Sequence, residues 1–295
     1  MPISLQARMT RTAISPLLAT STFENTFYRC TMSSSDARSA KFVERFGQIR
    51  HVDHTTSTNA DLVAAARSGA PEQFLHSDFQ SQGKGRLGRT WQAPPRSSVL
   101  MSALVRPALD PSLVPWLGAA MGVATVKVVS NAGAANATLK WPNDVVVESP
   151  VGELGYLKLA GVLSELVSVN PTAVVVGVGC NIDFGSNVPV EIAQRSTSLA
   201  QLGVDTAEHT IEQVAQRIAE RFVDHLDQLE RSGPANIRSL MQQCCSTIGR
   251  RVRVELGDGR FVEGTASGIA DNMALRVDAH GESHVFNAGD IVHLR

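Results

Sequence analysis

The spacing of apolar residues predicts alternating helices and strands over most of the chain. Apolar side chains recur every three or four positions over residues 211–229, behind a capping box that starts at Thr210, and the pattern stops before Gly233. This spacing is typical of an amphipathic helix. Residues 156–169 and 172–183 are almost continuously apolar, which predicts strands buried on both faces. The same reasoning predicts a helix from Thr58 to Gly69, a strand at 99–106, a helix at 111–130 and a strand, sharp turn and strand over 138–147.

After Cys245 the pattern changes to short alternating segments. Val252, Val254 and Leu256 alternate with polar residues, and Gly257-Asp258-Gly259 and Asp271-Asn272 are turn signals. Short strands are expected around Phe261, Leu275, Val285 and Ile291. The last fifty or so residues are therefore predicted to form a compact all-β unit, a small barrel.

The first 45 residues show no sustained periodicity. They are rich in Ser and Thr, and Arg8, Arg11 and Arg29 precede any acidic residue other than Glu24. The favoured interpretations are a disordered tail and a start codon placed too early, with Met32 as a candidate for the true start. A transit peptide is the third interpretation. The predicted organisation is a tail at 1–45, a catalytic domain at 46–245 and a small β-barrel at 246–295.

Composition excludes several classes of function. The chain has 295 residues with 27 basic and 28 acidic side chains, so binding to nucleic acid or to an anionic membrane by charge alone is disfavoured. Four cysteines without paired spacing favour a reducing compartment, and the expected location is the cytoplasm. The longest apolar run, 113–126, contains Pro115 and is too short to span a bilayer.

A glycine-rich and basic loop at residues 83–91 carries the strongest chemical signal. Three glycines alternate with three cations in Gly83-Lys84-Gly85-Arg86-Leu87-Gly88-Arg89, and Trp91 follows. Exposed backbone amides beside Lys and Arg form a cradle for a phosphate or a carboxylate. The loop also matches the dinucleotide pattern G-x-G-x-x-G, but Pro94 and Pro95 and a strand follow it instead of the required helix. A phosphate-binding Walker motif is absent from the sequence.

Four motifs in order resemble those of biotin protein ligases. The segment GKGRLGRTW resembles the biotin- and adenylate-binding loop of that family, with Lys84 where the family has arginine. The other three are Ser57-Thr58-Asn59, Lys140-Trp141-Pro142-Asn143-Asp144 and Lys158-Leu159-Ala160-Gly161-Val162-Leu163, and a family-like glycine stretch at 177–182 follows. The resemblance is strong over about residues 48–200. It identifies the chain as similar to the members without an N-terminal DNA-binding domain.

The resemblance implies a fold and a reaction. The implied fold is α+β, with a central mixed β-sheet flanked by helices (the class II synthetase-like biotin/lipoate ligase fold) and a C-terminal SH3-like barrel. The implied reaction joins biotin to ATP as biotinyl-5'-AMP and then transfers biotin to a lysine of a biotin carboxyl carrier domain. ATP, Mg²⁺ carried by ATP, and biotin are the expected small molecules. No protein metal motif is seen.

The resemblance also implies roles for individual residues. The catalytic candidates are Arg86, Lys158 and Asp144. The biotin-binding candidates are Ser57, Thr58, Asn59, Gln80, Lys84, Gly85, Arg86, Lys158 and Gly161. The ATP- or adenylate-binding candidates are Gly83, Arg86, Arg89, Trp91, Lys140, Asn143 and Asn181.

Two of these side chains have ordinary structural alternatives. Asp144 either orients and deprotonates the acceptor lysine or only bonds its own turn backbone, and turn chemistry alone would select Asp there. Trp91 either walls the ligand or anchors its loop to the core, and anchoring is favoured.

The sequence leaves three alternatives at the level of function: a lipoate–protein ligase, a biotin-responsive DNA-binding repressor, and a module that sequesters a carboxylate without turnover. No basic recognition helix is evident for the repressor. A monomer and a homodimer both remain open.

Overall fold

The structure is a computed structural model that describes residues 34–150, 155–185, 190–256, 260–287 and 289–294. The helices are α1 (Ser34–Phe46), α2 (Thr58–Arg67), α3 (Pro115–Asn131), α4 (Val190–Ala193), α5 (Ile211–Ser232) and α6 (Ala235–Cys244). The strands are β1 (Ile49–Thr55), β2 (Gln73–Gln80), β3 (Ser98–Val105), β4 (Ala137–Lys140), β5 (Asp144–Glu148), β6 (Tyr156–Val169), β7 (Thr172–Asn181), β8 (Arg251–Glu255), β9 (Phe261–Ile269), β10 (Leu275–Ala279), β11 (Glu282–Phe286) and β12 (Asp290–His293).

A seven-stranded mixed sheet forms the centre of the protein. Its strand order is β1-β2-β3-β7-β6-β5-β4, and only the β1–β2 pair is parallel among the pairs described. The central strand β3 is buried at every position. The two long strands β6 and β7 pair antiparallel over most of their length. This arrangement confirms the predicted α+β class.

Helices cover both faces of this sheet. On one face α3 and α5 pack against apolar residues such as Val105 and Val174. On the other face α2 covers Leu75, Leu104 and Val175. Helix α3 lies close to the sheet because Gly122 has no side chain; an added Cβ would meet Leu139 at 2.6 Å. The segment Pro111–Asn131 is long and apolar enough to cross a membrane, but most of it is buried inside the protein, as in a core helix.

Helix α1 corrects the prediction of a tail up to residue 45. Phe42 is 1% exposed; its ring stacks on Phe46 and packs at a tilt against Phe74. Arg45 forms ion pairs with Glu72 and Glu230, at 2.8 and 2.7 Å. The prediction was wrong for residues 34–45 because a short helix that docks by a few aromatic contacts and charges shows little periodicity. Residues 1–33 lie outside the described part of the chain.

The predicted C-terminal β unit is present as a second, antiparallel sheet with strand order β11-β10-β9-β8-β12. Two buried tryptophans tie it to the first sheet and its helices. The indole of Trp116 donates to the carbonyl of Asp271 at 2.7 Å, and that of Trp141 donates to the carbonyl of Met273 at 3.0 Å. Because Trp141 belongs to the Lys140–Asp144 motif, this docking brings β12 to the edge of the candidate site.

Candidate functional site

The motif residues converge on one cavity of about 410 Å³ above the glycines of β6 and β7. The cavity is lined by fourteen of the predicted site residues: Ser57, Thr58, Asn59, Gln80, Lys84, Gly85, Arg86, Arg89, Trp91, Lys140, Asn143, Asp144, Lys158 and Gly161. These residues come from five separate segments of the chain. The fold therefore assembles most of the predicted site in one place.

A chain of hydrogen bonds between buried side chains forms the floor of the cavity. The hydroxyls of Thr58 and Ser102 bond at 2.7 Å, and Ser102 donates to Oδ1 of Asn59 at 2.6 Å. Asn59 in turn donates to Glu165 at 2.7 Å. Gln80 accepts from the backbone amide of Thr58 at 2.7 Å. Each polar group is thus held in a fixed direction, as a specific site for an uncharged polar ligand requires.

Ser57 is the N-cap residue of α2. Its side chain caps α2 by accepting from the amide of Ala60 at 3.5 Å, and it also lines the cavity. Helix α2 begins at Thr58, so the S-T-N motif is placed at the positive end of the helix dipole.

We predict that Gly177→Ala destabilises the fold by about 1–3 kcal/mol and weakens the binding of biotin, the ligand that the sequence motifs imply, by at least about tenfold. A Cβ at Gly177 would lie 2.1 Å from Oδ1 of Asn59 and 3.2 Å from Oγ of Ser102, so the hydrogen-bond chain must move. Calorimetric titration with biotin and thermal melts measure the two effects. Gly268→Ala is the matched control, because nothing lies within 4 Å of a Cβ there. Unchanged biotin affinity in Gly177→Ala would show that this hydrogen-bond chain does not contribute to ligand binding.

The basic loop folds as a tight hairpin over the cavity. Lys84 pairs with Thr90, and the amide of Gly85 donates to the carbonyl of Arg89 at 2.7 Å. Leu87 and Gly88 take positive φ values of 55° and 74° at the tip. Positive φ values are uncommon for residues other than glycine, and a glycine-rich segment adopts them readily.

Trp91 anchors this hairpin to the sheet. Its ring lies directly on Gly161 and Gly179, where an added Cβ would approach it to 2.9 and 2.4 Å. The ring also lines the cavity, and the Nζ of Lys158 lies 5.3 Å from its centroid. The ring of Trp91 therefore both packs against the sheet and forms part of the cavity wall.

One pair of polar side chains connects the loop to the K-W-P-N-D turn, and a second pair connects β6 to the same turn. Arg86 donates to Oδ1 of Asn143 at 3.0 Å, while Asn143 donates to the carbonyl of Val162 at 2.8 Å. Lys158 forms an ion pair with Asp144 at 2.7 Å. Because Asn143 and Asp144 are held by the sheet, the two cations are positioned by it as well.

Two predicted residues do not line the cavity. Gly83 pairs with Trp91 at the base of the hairpin. Its carbonyl accepts from the amide of Trp91 at 2.8 Å, and an added Cβ would meet the Trp91 carbonyl oxygen. Asn181 is 3% exposed and donates to the carbonyl of Thr197 at 2.9 Å. Its amide also lies 3.4 Å from the carbonyl of Lys158. Asn181 thus braces the strand that carries Lys158 instead of facing the cavity.

The sequence analysis missed several residues of the cavity. They are Ser102, Tyr156, Gln194, Arg195, Glu255, Ile291 and Val292. The last three belong to the second sheet, whose contribution only the tertiary docking reveals. Tyr156 lies under Lys140, with Nζ 5.3 Å from the ring centroid.

His293, which was also not predicted, lies beside the cavity residue Tyr156. Its Nε2 lies 3.1 Å from the hydroxyl of Thr247, and its ring makes an edge contact with Tyr156. Burial, reinforced by the charges of Lys140 and Arg250, lowers the pKa of His293 to about 4. The imidazole is therefore neutral at neutral pH and adds no charge beside Lys140.

Comparisons with known proteins agree with this geometry. Residues 70–183 match the Biotin/lipoate A/B protein ligase family, and residues 247–294 match the Biotin protein ligase C terminal domain. The chain is 37% identical over 254 residues to a biotin–[acetyl-CoA-carboxylase] ligase of Mycobacterium tuberculosis, with 84% of this chain and 90% of that protein covered.

Two further similarities extend the comparison. The bifunctional ligase/repressor BirA of Bacillus subtilis is 27% identical, over 87% of this chain and 78% of that protein. A biotin protein ligase of Aquifex aeolicus, solved in complex with biotin and ATP, superposes with a TM-score of 0.67 at 22% identity, over 83% of this chain and 98% of that one. At that identity the superposition shows the fold alone.

Proposed function

The chain belongs to the biotin protein ligase family, and we propose that its cavity activates biotin as biotinyl-5'-AMP and passes it to a lysine of a biotin carboxyl carrier domain. The observation that carries the proposal is the convergence of a fixed polar floor with Arg86 and Lys158 in one cavity. A floor without cations would hold only a neutral ring. Cations without the floor would hold any anion.

The biotin ureido ring fits the floor made by Thr58, Asn59 and Gln80. The ring is uncharged and needs hydrogen-bond partners in a site without water. Here the hydroxyl and amide groups are already oriented by Ser102 and Glu165, so little ordering cost remains for binding. The carboxylate end of biotin then points toward Lys158 and Arg86.

The first step brings a carboxylate to the α-phosphate of ATP. Two anions repel at contact distance unless fixed cations neutralise them. Lys84, Arg86, Arg89 and Lys158 supply this charge around the cavity. The oxygen of biotin attacks phosphorus, and the bond to the pyrophosphate leaving group breaks.

Lys140, Asn143 and Trp91 are proposed to hold the nucleotide, with Lys140 at the end near the second sheet. Asp144 is a carboxylate at the cavity, and it is already paired with Lys158. This donor set fits Mg²⁺ that is bound to the triphosphate better than Mg²⁺ held by the protein, and bound Mg²⁺ would shield the phosphate charge.

The second step needs a neutral amine, although a free lysine has a pKa of about 10.4. Asp144 is the side chain at the cavity that can accept the proton or orient the amine. Its rigid position after Trp141-Pro142-Asn143 supports this role, because a proton acceptor must stand within hydrogen-bond reach of its donor. The amine attacks the mixed anhydride, and AMP leaves.

We predict that Asp144→Asn slows transfer from preformed biotinyl-AMP to a carrier domain by on the order of a hundredfold, while adenylate formation changes much less. Single-turnover transfer measured against pH tests this, and the loss is expected to shrink at high pH where the amine is already neutral. Asp110→Asn is the control, because Asp110 is an exposed aspartate that does not line the cavity. Equal losses in both steps would show that Asp144 acts only by holding Lys158.

The proposed function is tested by incubating the protein with labelled biotin or labelled lipoate, ATP and Mg²⁺. Pyrophosphate and biotinyl-AMP should form with biotin, and a carrier domain should become labelled. Selective activation of lipoate would identify a lipoate–protein ligase instead. Binding of biotin without pyrophosphate release would indicate sequestration. Retardation of DNA that depends on biotin and ATP would support a repressor.

We expect the enzyme to act in the cytoplasm as a monomer or a homodimer. Cys180, Cys244 and Cys245 are free thiols, and Cys180 and Cys245 are buried, as suits a reducing compartment. The acceptor is expected to be the biotin carrier domain of a carboxylase, and no membrane is involved in the reaction.

A further inference from the structure

A cluster of two histidines and one aspartate lies on strands β1 and β2, apart from the residues that line the cavity. His51 and His76 are opposite each other in the parallel register, and Asp78 follows two residues later on β2. One ligand atom of each residue lies within 4.8 Å of the other two. His51 Nε2 is 2.8 Å from Oδ1 of Asp78, and the two imidazole rings are stacked 5.6 Å apart.

His76 is the unusual member of this cluster. It is 4% exposed, and its Nε2 has no hydrogen-bond partner among the described residues. Polar atoms buried at this depth are nearly always paired, so one without a partner requires an explanation.

We propose that His51, His76 and Asp78 bind a divalent transition metal ion of the zinc type, with Glu212 or water as the fourth ligand. Two imidazoles and a carboxylate are the ligands that Zn²⁺ prefers. Glu212, in the first turn of α5, lines the groove that contains His51 and Asp78, and its charge acts on His76 and Asp78. Carboxylates at this groove complete a donor set that needs no cysteine.

Arg96 supports this arrangement without blocking it. Its Nε donates to Oδ2 of Asp78 at 2.9 Å and leaves Oδ1, the oxygen facing His51, for the metal. A second partner that fixes a ligating carboxylate in this way is common around metal sites. Ligand atoms around tetrahedral zinc lie about 3.3 Å apart. Binding therefore requires His51 and Asp78, whose ligand atoms are 2.8 Å apart, to open slightly, and any pair near the 4.8 Å limit to close.

The location gives the ion a structural effect. β1 is an edge strand, and a metal held between β1, β2 and the start of α5 would fasten that edge to the core. β1 leads into the S-T-N segment, and β2 ends at Gln80. Metal binding is therefore expected to stabilise the two strands that lead into the floor of the cavity.

The test is a titration of the untagged protein with Co²⁺, without ATP, followed by its visible absorption bands and by competition with Zn²⁺. We expect one Co²⁺ per chain in a spectrum of nitrogen and oxygen ligands without a sulfur charge-transfer band. His51→Ala and His76→Gln should each weaken binding at least tenfold. His54→Ala is the matched control, since His54 is an exposed histidine on the same strand outside the cluster.

Thermal melts give the second readout. Zn²⁺ should raise the melting temperature of the parent protein and of His54→Ala but not that of His51→Ala. His51 is exposed, so its replacement tests the site even if His76→Gln fails to fold. Absence of a stoichiometric Co²⁺ spectrum, or equal binding by His51→Ala and the parent, would overturn the proposal.

Discussion

Replacing Lys158 by alanine is expected to slow biotinyl-AMP formation by about a hundredfold to a thousandfold, the usual cost of removing one preorganised charged donor at a reacting centre. Lys158 is fixed from two directions, by the ion pair to Asp144 at 2.7 Å and by the ring of Trp91. The substitution therefore removes a cation that is already placed where charge develops, and the basic residues of the hairpin, which belong to a separate segment, cannot replace it.

The fold should survive this change. The backbone of Lys158 is held by main-chain bonds with Arg195 and Thr197, at 2.9 Å each, which do not depend on the side chain. Pyrophosphate release at saturating biotin and ATP measures the rate, and a thermal melt checks the fold. Lys127→Ala, an exposed lysine of α3, is the control for loss of one positive charge. A normal rate in folded Lys158→Ala would refute the assigned role.

The central strands could be predicted from the sequence, whereas the edge of the sheet could not. β7 and the stretch 159–162 of β6 are buried, so their apolar runs stand out. The prediction of burial on both faces was wrong for the second half of β6, where Leu166 and Val169 are exposed. β1 reads Ile-Arg-His-Val-Asp-His-Thr and exposes most of its positions, so no alternation marks it as a strand. β2 joins the sheet through tertiary pairing with β1 and β3, and its sequence carries no turn signal that defines a hairpin.

The site could be predicted as far as its residues lie in contiguous motifs. Arg86, Asn143 and Lys158 stand in such motifs, and the fold brings them together. Ser102 and Glu165 have no motif, although they orient the floor, because their partners are 43 and 106 residues away in sequence. Asn181 is the opposite case. It stands in a motif, but its side chain faces the backbone of Lys158 and not the cavity.

The cluster of His51, His76 and Asp78 could not be predicted from the sequence for the same reason. Ligand spacing within one element can be read from a sequence, but His51 and His76 come from separate strands. Their approach depends on the parallel register of β1 and β2, and that pairing was not predicted.

Arg86→Ala is expected to lower adenylate formation by about a hundredfold or more and, unlike Lys158→Ala, to raise the KM for biotin as well. Arg86 belongs to the hairpin over the cavity, and its hydrogen bond to Asn143 connects that hairpin to the sheet at 3.0 Å. Its removal therefore loses both a cation and a closing contact. Lysine at this position should recover only part of the activity, because it keeps the charge but not the planar fork of donors.

Trypsin cleavage separates these two contributions. The loop keeps Lys84 and Arg89 as cleavage sites in Arg86→Ala, and both are at least partly exposed at the hairpin. In the parent and in Lys158→Ala, biotin with ATP should slow cleavage because the closed hairpin covers the ligands; in Arg86→Ala it should slow cleavage far less. Arg50→Ala, which loses an exposed contact to Gln73, controls for removal of an arginine. If ligands protect Arg86→Ala fully, Arg86 contributes only its charge. If adenylate formation keeps its rate in Arg86→Ala, Arg86 has no role in the site.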